Sequence, residues 1–71
     1  MKYAVLKNVN GTFLLDSEWN ENLNGAIVQF HSACGSLWNA PDAETATVEI
    51  INSQLEPVPG YREFISHPVQ A

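Results

Sequence analysis

His31 and Trp38 stand seven residues apart in a stretch of helical period, so both fall on one side of a helix, two turns apart. Asn24 and Gly35 share that side. A tryptophan at a helix rim can stack on a base or ring. An imidazole beside it can bond a phosphate or a base edge. The same two side chains can equally finish the rim of a core. Arg62 follows Tyr61 and offers a cation for phosphate next to a ring for stacking, and Lys7 can add a second positive group. His31, Trp38, Tyr61, Arg62 and Lys7 are therefore the candidate ligand contacts.

Cys34 lies three residues after His31, about one helical turn away. A thiol–imidazole pair or one edge of a metal site could be built from them. A structural zinc takes about four ligands, and only His67 and scattered carboxylates remain, without motif spacing. Cys34 also sits in the middle of an apolar stripe, where a thiol is buried and inert. No phosphate-binding loop, dinucleotide fingerprint or nucleophile elbow occurs. The expectation is a protein without catalysis, metal or cofactor.

Lys2, Lys7 and Arg62 are the whole cationic supply against eight acidic residues, a net charge of −5. That balance disfavours a nucleic acid polymer as partner. One chain cannot cradle a polyphosphate with side-chain charge alone. Symmetry could pool these cations at a subunit boundary, and backbone N–H groups near Leu23, Asn24 and Gly25, at a helix start, could assist. With Cys34 as the one cysteine, no internal disulfide can form, which fits a reducing cytoplasm. No apolar run approaches the roughly 18 residues of a membrane span, and Met1-Lys2 leads into alternation rather than a signal peptide.

These residues need elements to hold them. Asn10-Gly11 between two alternating runs is the sequence of a type I′ hairpin turn, because both central residues take positive φ. Strands are expected over Lys2 to Val9 and Thr12 to Trp19, with Val9 facing Thr12, Lys7 facing Leu14, Leu6 facing Leu15 and Tyr3 facing Glu18. Asn20 or Asn22 can cap a helix that carries Leu23, Ile27, Phe30, Cys34 and Leu37 on one stripe. Gly25 and Gly35 within it imply a close approach or simple tolerance. Asn39-Ala40-Pro41 stops the helix. Ala43 to Asn52 is a third strand, rich in β-branched residues. Leu55 to His67 is a fourth, interrupted at Pro57-Val58-Pro59-Gly60 and suited to an edge.

The order ββαββ predicts an α+β domain over residues 1–67, a four-stranded antiparallel sheet with one helix packed on one face, and a loose end over 68–71. The expected helix-covered face holds Ala4, Leu6, Phe13, Leu15, Ala46, Val48, Ile50 and Phe64. The other face then keeps Tyr3, Val5, Val9, Leu14, Ile51, Tyr61 and Ile65, too apolar to leave in water. Charged residues make up only 15% of the chain, below the roughly 25% usual in soluble domains, which sharpens that shortage of polar cover. A homo-oligomer interface on Tyr3, Val5, Ile51 and Ile65 is the expected remedy.

The run Met1-Lys2-Tyr3-Ala4-Val5-Leu6-Lys7, Asn10-Gly11, Phe30-His31-Ser32-Ala33-Cys34, Leu37-Trp38-Asn39-Ala40 and Gly60-Tyr61-Arg62-Glu63-Phe64-Ile65 resembles a group of short proteins encoded by phages, prophages and other mobile elements of gut bacteria. The resemblance spans nearly the whole chain. It carries no catalytic assignment, and it implies the cytoplasm of a host cell as the setting. Small phage proteins of this kind include antagonists of host defence that hold cyclic nucleotide or ADP-ribose-type signals between subunits. On that basis the expected function is capture of a small nucleotide-like immune signal by a homo-oligomer. The alternative is a protein–protein interaction or virion-accessory protein that docks through its apolar sheet face.

Overall fold

A computed structural model gives the fold, and it describes residues 1–16 and 18–67. The expected loose end over 68–71 lies outside the described residues. β1 (Tyr3–Val9) and β2 (Thr12–Leu15) form the first hairpin, α1 (Leu23–Trp38) follows, and β3 (Thr45–Asn52) and β4 (Pro57–Ser66) complete the chain. The strands make one antiparallel sheet in the order β2-β1-β3-β4 with α1 packed on it. This is the α+β, ββαββ arrangement read from the sequence.

The first turn is built as its residues require. Asn10 has φ 51° and Gly11 φ 91°, both positive as a type I′ turn demands. The hairpin register follows from it: Val9 opposes Thr12, Lys7 opposes Leu14 and Leu6 opposes Leu15. Asn10 has a second task. Its side-chain oxygen accepts from the Thr45 amide at 3.2 Å and its amide group donates to the Asp42 carbonyl at 3.0 Å, while its own N–H donates to the Thr45 carbonyl at 2.9 Å. One turn residue thus ties the hairpin to the loop that enters β3.

β2 ends at Leu15, short of the expected Trp19. The Asp16 amide still donates to the Val5 carbonyl at 2.8 Å, but Tyr3 bridges Asn20 instead of Glu18. Two extra residues on the β2 side break the ladder between those points. Asn20 then meets the helix: a Cβ at Gly25 would stand 3.1 Å from its side-chain oxygen. Gly25 therefore marks a close approach. A Cβ at Gly35 would meet nothing within 4 Å, so Gly35 is simply tolerated.

The helix stripe is as expected, with Ala26, Phe30, Ala33, Cys34 and Leu37 buried and Leu23 and Ile27 packed beside them. On β3, Ala46, Val48 and Ile50 point to the helix and are closed from solvent. The parities of β1, β2 and β4 are opposite to the expectation. Residues directly paired across a ladder share a face. Val5 pairs with Ile50, Val9 with Ala46, and Ile65 with Ala46. Tyr3, Val5, Val9, Leu14, Tyr61 and Ile65 consequently lie on the helix side. Ala4, Leu6, Phe13, Leu15 and Phe64, expected under the helix, lie on the opposite, open face. The proposed interface residues Val5 and Ile65 are fully buried in the core, and Tyr3 packs against it. Ile51 does lie on the open face, opposite Ala4, yet it is also buried. None of the four forms a free association surface.

β4 is an edge strand with an irregularity, as its prolines and glycine predict. Arg62 opposes Glu49 and Pro57 opposes Ile51, so three extra residues bulge out between them, and Gly60 supplies φ 89°. The tight β3–β4 turn is held by the Asn52 side chain, whose oxygen accepts from the Gln54 and Glu56 amides at 2.9 and 3.0 Å.

Asn10→Gly keeps the positive φ but removes the two side-chain bonds to the β3 entry loop. Urea unfolding should show a loss of about 1 kcal/mol, the scale of such net hydrogen bonds. Unchanged stability would mean that Asn10 serves the turn alone.

Candidate functional site

The five candidate contacts do not converge. His31 is exposed on α1, with its ring 5.4 Å from that of Phe30 in edge geometry. Tyr61 reaches the same phenyl ring from β4, centroid to centroid 6.1 Å. Trp38 is half exposed, but its indole N–H donates to Glu63 Oε2 at 3.0 Å, and its ring stands 5.7 Å from that of His67. Lys7 lies on the helix side of β1 and is spoken for by Asp16 at 2.7 Å. Arg62 is exposed on the opposite face of the sheet from Tyr61, because neighbouring strand residues alternate. His31 and Tyr61 share a neighbour in Phe30; Trp38, Lys7 and Arg62 belong to three other places.

The cluster around Glu63 was not visible in the sequence. Its parity with Ile65 turns Glu63 under the C-terminal end of α1, where it accepts from Trp38 and faces the Cys34 thiol. His67 completes the closure by donating from Nε2 to the Leu37 carbonyl at 2.8 Å. Burial, and then the Glu63 carboxylate, push the Cys34 thiol up to about 11. Cys34 therefore answers to Glu63 as a neutral thiol, and the cluster clamps the helix end to β4. Among the described residues no group of three or more His, Cys, Asp or Glu side chains comes together to hold a metal.

The open face of the sheet carries the most unusual surface. Phe13 is 65% exposed, Phe64 64% and Leu15 51%. Between the two phenylalanines run Leu6, Asn8, Thr47, Glu49 and Arg62. Leu6, Asn8, Phe13, Thr47, Glu49 and Arg62 line a depression of about 160 Å³. Asn8, Gly11, Thr45, Ala46, Thr47 and Phe64 line another of about 230 Å³. Glu49 and Arg62 sit directly opposite each other, so this face carries compensating charge in a strongly acidic chain. Parity in the sequence could not have located it: Arg62 shares the parity of Phe64, but Glu63 shares that of Ile65, so each face of β4 carries one charged residue.

No helix among the described residues is long and apolar enough to cross a membrane.

The raised Cys34 pKa sets a reactivity. At pH 8 the thiolate fraction is about a hundredfold below that of an ordinary thiol at 9.0. A disulfide reagent should label the native protein at least that much more slowly than the urea-unfolded chain. Equal rates would contradict the buried Cys34–Glu63 contact. Compared with protein-family models, curated proteins and solved structures, the chain matches none.

Proposed function

We propose that the chain is a non-enzymatic interaction protein that docks a protein surface through the open face of its sheet. One observation carries this reading: Phe13, Leu15 and Phe64 present their side chains to solvent on the face that the helix leaves bare. Large apolar side chains gathered on one face and flanked by polar groups mark association sites. Asn8, Thr47, Glu49 and Arg62 would supply the directional contacts. A phage-type accessory or antagonist acting in a host cytoplasm is the setting that the resemblance implies for such a module.

Capture of a small nucleotide-like signal is the competing reading. Its candidate residues are divided between both faces, and the depression beside Arg62 is below the roughly 300–1,000 Å³ of small-molecule sites. It would need more than one chain to complete a pocket.

A photo-reactive phenylalanine analogue at position 64 tests the docking reading, with the same analogue at Ser32 on the exposed side of α1 as control. Cross-linking in cells to a discrete protein from position 64 and not from position 32 is the expected result. Cyclic dinucleotides and ADP-ribose derivatives should leave the melting temperature unchanged. A ligand present at about 100 times its Kd would add about 2.7 kcal/mol, several degrees for a domain this small. Such a shift, or a silent position 64, would overturn docking in favour of sequestration or neither.

A further inference from the structure

The sheet has two edges, and they are treated differently. β4 is blunted by Pro57, Pro59 and the bulge ahead of Arg62, which are common guards of an exposed edge. β2 carries Thr12-Phe13-Leu14-Leu15, with no proline and no charge, and all four residues are exposed. Its backbone is also incompletely used. The pair flanking a two-residue turn is hydrogen bonded, and bonding alternates along an antiparallel ladder. Thr12, Leu14 and Asp16 therefore turn their peptide groups to β1, as the Asp16 bond to Val5 confirms. Phe13 and Leu15 turn theirs outward, away from the sheet.

We infer that β2 is the joint of a symmetric dimer, in which β2 pairs antiparallel with β2 of a second copy about a two-fold axis at Leu14. In this register Phe13 exchanges both main-chain bonds with Leu15 of the second copy, and Leu15 with its Phe13. Four hydrogen bonds form from groups that turn away from β1 and pair with nothing else among the described residues. Leu14 meets Leu14 on the helix side, and Phe13 meets Leu15 on the open face, so apolar side chains face apolar side chains on both surfaces. Centring the axis on Phe13 or Leu15 instead opposes Leu15 to Gly11 or Leu14 to Asp16.

Charge and space agree with a second copy as occupant. Two chains of −5 can approach here because residues 12–15 are neutral and the next acid, Asp16, is held by Lys7 at 2.7 Å. The helix packs on β1, β3 and β4 and not on β2. The two β1 strands of the dimer lie about 14 Å apart at the usual strand spacing, and each helix sits beyond them. That leaves more than the roughly 8–10 Å that packed helices need. Phe13, Leu14 and Leu15 together offer roughly half of the ~800 Å² per partner of a standard interface. The dimer is accordingly a weak one. It extends to eight strands with both helices on one side, so the two open faces become one continuous surface. The inference goes beyond the docking reading, since Phe64 stays free in this dimer.

Leu14→Cys tests the axis directly. Non-hydrogen-bonded antiparallel partners have Cα atoms about 4.5 Å apart, inside the roughly 4.4–6.8 Å that a disulfide spans. Leu55→Cys, in the exposed β3–β4 turn, is the control, and buried Cys34 is present in both. Under mild oxidation Leu14→Cys should yield the covalent dimer at least about ten times faster than Leu55→Cys. In reducing buffer the unmodified chain should sediment as a dimer at ~100 μM, and Leu14→Lys should weaken association at least about tenfold while melting as before when dilute. A chain still monomeric at ~500 μM, or equal cross-linking rates for the two cysteine variants, overturns the β2 joint. If position 64 nevertheless captures another protein, docking stands without the joint. If Leu14→Cys cross-links and position 64 is silent, the joint stands without docking.

Discussion

One helix must close the core of a four-stranded sheet, and it is too narrow to do so. Strands spaced about 4.8 Å apart make a sheet some 14 Å across between its outer axes, whereas a helix with side chains is about 10 Å wide. α1 settles over β1, β3 and β4. The helix side of β2 is left uncovered as a result, and Leu14 there remains half exposed. The opposite face is open at Phe13, Leu15 and Phe64, whereas Ala4 and Ile51 on that same face are buried. The exposed apolar side chains of β2, and Phe64, follow from one helix that is narrower than the sheet and lies on only one of its faces.

Polar contacts concentrate where the helix has to be tied down. At its start, Asn20 joins the β1 edge to the helix, bridging Tyr3 through its backbone while its side chain fills the space left by Gly25. At its end, Glu63 receives the Trp38 indole and His67 reaches the Leu37 carbonyl. Asn10 fixes the loop between helix and β3. The residues that looked most like ligand contacts are partly used here: Trp38 and Tyr61 are anchors of packing, and Lys7 neutralises Asp16. A tryptophan and a cation at the rim of a small core cost less when they satisfy a neighbour than when they wait for a ligand.

The legible part of the fold was the local part. Asn10-Gly11 specifies its turn and hence the pairing of the first hairpin, since no other dipeptide so readily takes two positive φ angles. The helix announces itself through Ala26, Phe30, Ala33, Cys34 and Leu37, and the weak edge through Pro57, Pro59 and Gly60. The candidate site was less legible. β1 is apolar at both parities, with Tyr3, Val5 and Val9 on one and Ala4 and Leu6 on the other, so alternation could not say which set faces the helix. Phe64 and Ile65 pose the same choice on β4.

By itself, the sequence determined which segments become strand, turn and helix, because those choices rest on contacts within a few residues. Only the tertiary structure decided which face of the sheet is covered. β1 and β3 are joined through β2 and the helix, with no tight turn to set their register; the pairing of Val5 with Ile50 and Val9 with Ala46 sets it instead. A shift of one residue exchanges every side chain between core and solvent. The surplus of apolar residues was evident from composition. That it emerges on Phe13, Leu15 and Phe64, and not on Val5 and Ile65, was decided by that single register.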